Sequence, residues 1–184
     1  MSFADGTSVS VEKSKLELER LLVKHGAKQY GTAHDDANGF AIVHFKMSER
    51  LIRLQIPIPP LTDWPDPTKP SYQQKVRGKT PRTWDRLGEG GRVAWVRTEW
   101  EQVCRTRWRC MLLIVKAKLE LIAMKLSDVE REFLADITLP DGRSVAELLK
   151  PYVKQAYLEG VMPRLLEAGP SKVATVIEAE EEPL

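Results

Sequence analysis

The chain has 184 residues, 42% of them hydrophobic and 29% charged, which is the composition of a globular domain and excludes a disordered or collagen-like polymer. Its formal net charge of +2 hides three unlike regions: residues 1–68 carry 8 Lys+Arg against 9 Asp+Glu, residues 69–118 carry 13 against 4, and residues 119–184 carry 7 against 13. The most apolar stretch, Met111–Val115, is broken by Lys116, Lys118 and Glu120, far short of the ~20 apolar residues of a membrane-spanning helix.

The first ten residues are small and polar, without the basic-then-apolar order of an export signal, and read as a flexible N-terminus of a cytoplasmic protein. From Ser10, the spacing of Val11, Leu18, Leu21, Leu22 and His25 predicts a helix over 11–25, with Gly26 as its stop. The period then changes. Lys28–His34 and Phe40–Met47 flank Asp35-Asp36-Ala37-Asn38-Gly39, and an Asn-Gly pair between β-rich runs predicts a hairpin. After a tight Ser48-Glu49 link, Arg50–Pro59 reads as a third antiparallel strand, with Ile52, Leu54, Ile56 and Ile58 on one face and prolines marking an edge.

Residues 59–91 are rich in proline, glycine and basic side chains and predict a long basic loop, of the kind that is functional or disordered. Arg92–Met124 is helical in pattern throughout. A heptad seam formed by Val93, Val96, Trp100, Val103, Arg107, Cys110, Ile114, Ala117, Leu121 and Met124 predicts its packing face. Cys104 and Cys110 lie in this helix about 240° apart, so they cannot bridge each other and are expected as reduced thiols. Ser127 is the expected cap of a short helix ending near Ile137. Leu139–Gly142 reads as a turn, and Ser144–Gly160 as a final helix with Val145, Leu148, Leu149, Tyr152, Val153 and Ala156 inward and Pro151 kinking it.

Residues 161–184 form an acidic tail expected to be mobile. The fold class that follows is α+β: a three-stranded antiparallel sheet packed against an N-terminal helix and a long central helix, with a helical C-terminal part, all in one domain over 11–160.

Catalytic chemistry finds little support. The three histidines are too scattered for a metal motif, and His34 beside Asp35 and Asp36 fits turn chemistry better than ion binding. Gly88-Glu89-Gly90-Gly91 opens the long helix, but the Lys-Ser/Thr pair of a phosphate loop is absent. No catalytic residue, metal or cofactor is assigned.

The basic block is the better candidate. Lys69, Lys75, Arg77, Lys79, Arg82 and Arg86 alternate with Tyr72 and Trp84, cations beside flat rings that can stack on unpaired bases. On the following helix, Arg97, Arg105, Arg109 and Lys116 project to a stripe away from the heptad seam, with Trp108 at its border.

The run Arg107–Glu120, the segment Phe133–Arg143 and the strand region from Phe45 through Pro59 resemble a group of small uncharacterised proteins of bacteriophages, prophages and plasmids, over most of residues 10–160. The resemblance implies a mobile-element setting and carries no activity or site residue. The order helix, antiparallel strands, long basic helix is also similar to that of single-strand-annealing recombination proteins, at the level of fold alone.

The expected function is therefore a non-enzymatic nucleic-acid-binding protein, with DNA or RNA as partner. The alternative is a protein-binding module such as an inhibitor of a host nucleic-acid or defence machine. Homo-oligomers through the heptad seam are a further expectation.

Overall fold

The computed structural model describes residues 4, 6–35, 38–58 and 87–160. Helix α1 spans Val11–Lys24. Ser10 caps it by accepting the amide of Lys13 at 3.1 Å, and Leu18 and Leu22, one turn apart, face the core. At its end the amide of Ala27 reaches the carbonyl of Leu22 and that of Gly26 reaches Val23. This paired closure needs a left-handed residue, and Gly26 supplies it at φ +81°.

Strands β1 (Lys28–Asp35), β2 (Phe40–Met47) and β3 (Arg50–Pro57) form an antiparallel sheet in the order β1-β2-β3. The expected hairpin forms between β1 and β2: Asp35 accepts the backbone and side-chain amides of Asn38 at 3.0 and 2.9 Å, and Gly39 takes φ +69°. Between β2 and β3, Ser48 and Glu49 both have positive φ, the geometry of a two-residue hairpin turn that follows the twist of the strands. The register pairs Ala41 with Ile56, Val43 with Leu54 and Phe45 with Ile52. All six side chains are buried on one face, so the period-two pattern of the sequence sets the core side. β1 has an irregular start, with Gln29 at φ +51° where the register shifts between Lys28 and Gly31.

The long helix α2 spans Glu89–Ala123, beginning at the Gly88 cap rather than at Arg92. Its buried residues are Val96, Cys104, Trp108, Leu112, Val115 and Leu119. The predicted seam is thereby corrected: Val96 is buried, but Val93, Ile114, Ala117, Leu121 and Met124 are exposed. The seam has the regular spacing, yet it includes Arg107, Cys110 and Ala117, whereas Trp108, Leu112, Val115 and Leu119 offer more apolar surface on another side. Burial follows area removed from water rather than the length of a repeat.

The core that results joins α1, β2, β3 and α2, and Phe45 meets Phe133 edge to face at 5.5 Å between ring centres. Burial pushes the Cys104 thiol up to about 11, against the pull of nearby Arg107.

α2 closes as α1 does, the amide of Leu126 reaching Leu121 and that of Lys125 reaching Ile122. Here the left-handed residue is Lys125, at φ +58°. Lys125→Gly is expected to stabilise the fold by about 1 kcal/mol, because a Cβ costs roughly that much in this conformation. A higher urea midpoint at unchanged slope is the measurement; a lower midpoint would disprove the assignment.

Helix α3 (Val129–Phe133) is capped by Asp128, which accepts the amide of Arg131 at 2.8 Å. The expected cap, Ser127, lies one residue too early. A 3-10 turn, Leu134–Asp136, leads to Ile137, which bridges to Ile52, while the amide of Thr138 reaches the carbonyl of Leu51. The outer side of β3 is thus partly paired.

The chain divides into two compact units, residues 1–146 and 147–184. Helix α4 (Val145–Glu159) starts in the first, where Val145 packs on the core. Within the described part of the second unit no residue is buried. Leu148, Leu149, Tyr152 and Ala156 are half-buried and Val153 is exposed, so the predicted inward face of this helix is only partly realised.

Candidate nucleic-acid interface

Of the twelve candidate residues, Lys69, Tyr72, Lys75, Arg77, Lys79, Arg82, Trp84 and Arg86 lie outside the described residues. The other four are on α2. The buried line of this helix runs through Cys104, Trp108, Val115 and Leu119. At about 100° per residue, Arg105, Lys116 and Arg109 stand roughly 60–100° from it, on its flank rather than on the opposite side. The expected position of the stripe is corrected for the same reason as the seam. Trp108, expected at the border of an open stripe, is 1% exposed.

The flank position decides what these cations meet. Arg109 Nη1 donates to Glu17 Oε2 of α1 at 2.5 Å, an ion pair between the two helices. Arg105 donates from Nε and Nη2 to Gln102 Oε1 at 3.1 and 2.7 Å and stands 3.8 Å from Glu101. Gln102 in turn donates to the carbonyl of Thr7 at 3.0 Å, so this group ties the N-terminal segment to α2. Arg97 lies 4.0 Å from Glu101 with both side chains largely in solvent, a pair worth little. Lys116 is exposed, and its side chain has no ion-pair or hydrogen-bond partner among the described residues. The structure therefore separates the four, with three engaged by groups of the same chain and Lys116 presented outward.

A second cationic feature went unread in the sequence. On α1, Lys15 Nζ lies 3.1 Å from His34 Nε2 of β1 and 4.7 Å from the centre of the Trp108 ring. An ammonium donor at that distance needs the imidazole nitrogen as acceptor, and the indole face adds a cation–π attraction. His34 accordingly faces α1, on the side of its register partner Ala41, while Asp35 alternates to the other face of the sheet and holds the hairpin. The two do not converge on one site. Among the described residues no group of three or more His, Cys, Asp or Glu is placed to hold a metal ion.

Beside this cluster, a recess of about 210 Å³ lies between α1 and β1. Its polar rim is Lys15, Glu19, Tyr30 and Thr32, and its floor is Leu18, Leu22 and Val43. It is smaller than the roughly 300–1,000 Å³ of ligand clefts. Tyr30 donates to Glu19 at 2.9 Å, and that bond together with the carboxylate charge raises the phenol above its ordinary value.

The sheet face turned away from the core carries Lys28, His44, Lys46 and Arg53, with Lys28 opposite Lys46 and His44 opposite Arg53. The His44 imidazole leans over Gly31, where an added Cβ would stand 2.8 Å from Nε2. Glu49 bonds Lys46 at 2.7 Å, and this lysine holds its carboxyl below the ordinary range. With Asp35 also on this face, its charge is mixed. The alternation of polar residues in β2 and β3 was the available signal for it.

No helix of the described residues is long and apolar enough to cross a membrane. Comparison with family models, with curated proteins and with solved structures finds no match to this chain.

Proposed function

We propose that this chain is a non-enzymatic nucleic-acid-binding protein of a phage or other mobile element, which holds phosphates with the cations of residues 69–118. The observation that carries the reading is the surplus itself: 13 Lys+Arg against 4 Asp+Glu in this segment, while the rest of the chain carries 15 against 22. Segregation of this kind creates a local field that favours a polyanion even where the net charge is small.

The contacts of α2 narrow the reading. Arg105 and Arg109 serve the fold, so phosphate contact falls to Lys116 and to Lys69, Lys75, Arg77, Lys79, Arg82 and Arg86. Tyr72 and Trp84 supply rings for unpaired bases, which makes single strands the first form to test.

The experiment is a salt series of fluorescence anisotropy with labelled single-stranded DNA, double-stranded DNA and RNA. Binding is expected to weaken steeply with salt as counterions are released. Lys116→Ala should reduce the slope of log K against log salt by about 0.7–0.9 without affecting stability. Arg109→Ala should leave the slope unchanged and lower stability by about 1 kcal/mol, through loss of the pair with Glu17. No binding to any of the three at low salt would end the proposal.

The internal engagement of Arg97, Arg105 and Arg109 favours a second reading, a protein-binding module such as an inhibitor of a host nucleic-acid machine. Partners retained from a nuclease-treated host lysate would support it, and loss of all partners would oppose it.

A further inference from the structure

The part of α2 opposite its buried line is apolar. Cys110, Ile114, Ala117, Leu121 and Met124 fall within about 80° of arc, roughly 170° around the helix from the centre of Trp108, Leu112, Val115 and Leu119. Ile114, Leu121 and Met124 are 52%, 39% and 65% exposed. Single exposed apolar residues are ordinary, but a continuous stripe at heptad spacing is the surface that a helix offers to another helix.

The order of these residues indicates the occupant. Around Ala117, the apolar positions stand at −7, −3, +4 and +7, a nearly palindromic series. When such a helix crosses a second copy of itself antiparallel at Ala117, Ile114 meets the partner's Leu121, Cys110 meets the partner's Met124, and the small central residue permits close approach. That is the self-complementarity that a two-fold interface requires.

The charges beside the stripe obey the same symmetry. Lys116 and Glu120 lie on one flank, and neither side chain has an ion-pair or hydrogen-bond partner among the described residues. At about 1.5 Å of rise per residue, antiparallel crossing at Ala117 sets Glu120 within about 3 Å, along the axis, of the partner's Lys116. The two-fold axis makes this pair twice. In a parallel two-fold pair the flank carrying Lys116 and Glu120 lies on opposite sides of the seam in the two copies, and no such pairing arises.

We infer that the chain forms a two-fold dimer in which the Cys110–Met124 segments of two α2 helices cross antiparallel at Ala117, clamped by reciprocal Lys116–Glu120 ion pairs. The inference needs no nucleic-acid binding: in the monomer Lys116 faces solvent and is open to phosphate, in the dimer it is taken by the partner's Glu120, and the two roles exclude one another at this residue.

Sedimentation equilibrium of the full chain tests it. A concentration-dependent dimer is expected. Lys116→Glu and Glu120→Lys should each weaken it by roughly five- to thirtyfold, and the double exchange should restore it, since two ion pairs are each removed and then remade reversed. Lys116 is exposed and Glu120 is half-buried, and thermal melts of the single variants check that the fold is intact.

In a second arm, Met124→Cys is oxidised and mapped by mass spectrometry. A disulfide from Cys110 to the introduced thiol of the other copy is expected. In the unchanged chain the two Cys110 thiols lie about 21 Å apart along the axis and stay unlinked. A monomer at all concentrations, additive effects of the two charge reversals, or a Cys110 to Cys110 disulfide in the unchanged chain would each overturn the inference.

Discussion

Trp108→Ala is expected to lower the stability of the fold by about 3–5 kcal/mol, a large part of what a domain of this size possesses. The indole is 1% exposed and sits in the core cluster with residues of α1, β2, β3 and α2. Its removal opens a cavity that rigid neighbours fill only in part, and it also takes away the ring beneath Lys15.

Trp108→Phe should cost far less, about 1.5 kcal/mol or below. It keeps most of the volume and deletes an indole N–H that is buried without a hydrogen-bond partner among the described residues. Ile114→Ala, on the exposed side of the same helix, should stay within about 0.5 kcal/mol at concentrations where the chain is monomeric. Urea unfolding followed by circular dichroism gives all three values. A large loss at Ile114 with a small one at Trp108 would mean that α2 packs by its heptad seam after all.

The second large effect concerns binding. Replacing Lys69, Lys75, Arg77, Lys79, Arg82 and Arg86 together by alanine should cut affinity for single-stranded nucleic acid at least about a hundredfold at low salt. It should also reduce the salt slope by about 4, since each neutralised phosphate contributes roughly 0.7. Unchanged slope and affinity would remove these residues from any interface. Tyr72→Ala and Trp84→Ala separate stacking from charge, because they weaken binding by about 1–3 kcal/mol per base without altering the slope.

The sheet and the first helix were legible because their signals are local. Ser10 and Gly26 bound α1 by chemistry that acts within a few residues, and alternation in β3 assigns Ile52, Leu54 and Ile56 to the core whatever lies above them. α2 was legible as a helix but not in its orientation about its own axis. Two apolar stripes compete on it, and the choice between them depends on what α1 and the sheet present, which no local pattern reports.

That error carried the basic stripe with it. The heptad pattern points Arg109 to solvent, but the true packing side brings it to Glu17, 92 residues away in the chain. The same distance hid the cluster of Lys15, His34 and Trp108, whose members come from three elements. At Lys125 the sequence lacks the usual glycine, so the closure of α2 had no visible marker.

The three strands are joined by connections of four and two residues, whereas α1 meets α2 only across most of the first unit. Ring closure over such a span is entropically slow, and short hairpins close early. The meander is therefore the natural nucleus of folding, with the docking of α2 as a late step. Changes at Ser48 and Glu49 should act chiefly on the rate of refolding, and loss of the Glu17–Arg109 contact chiefly on the rate at which the native state opens.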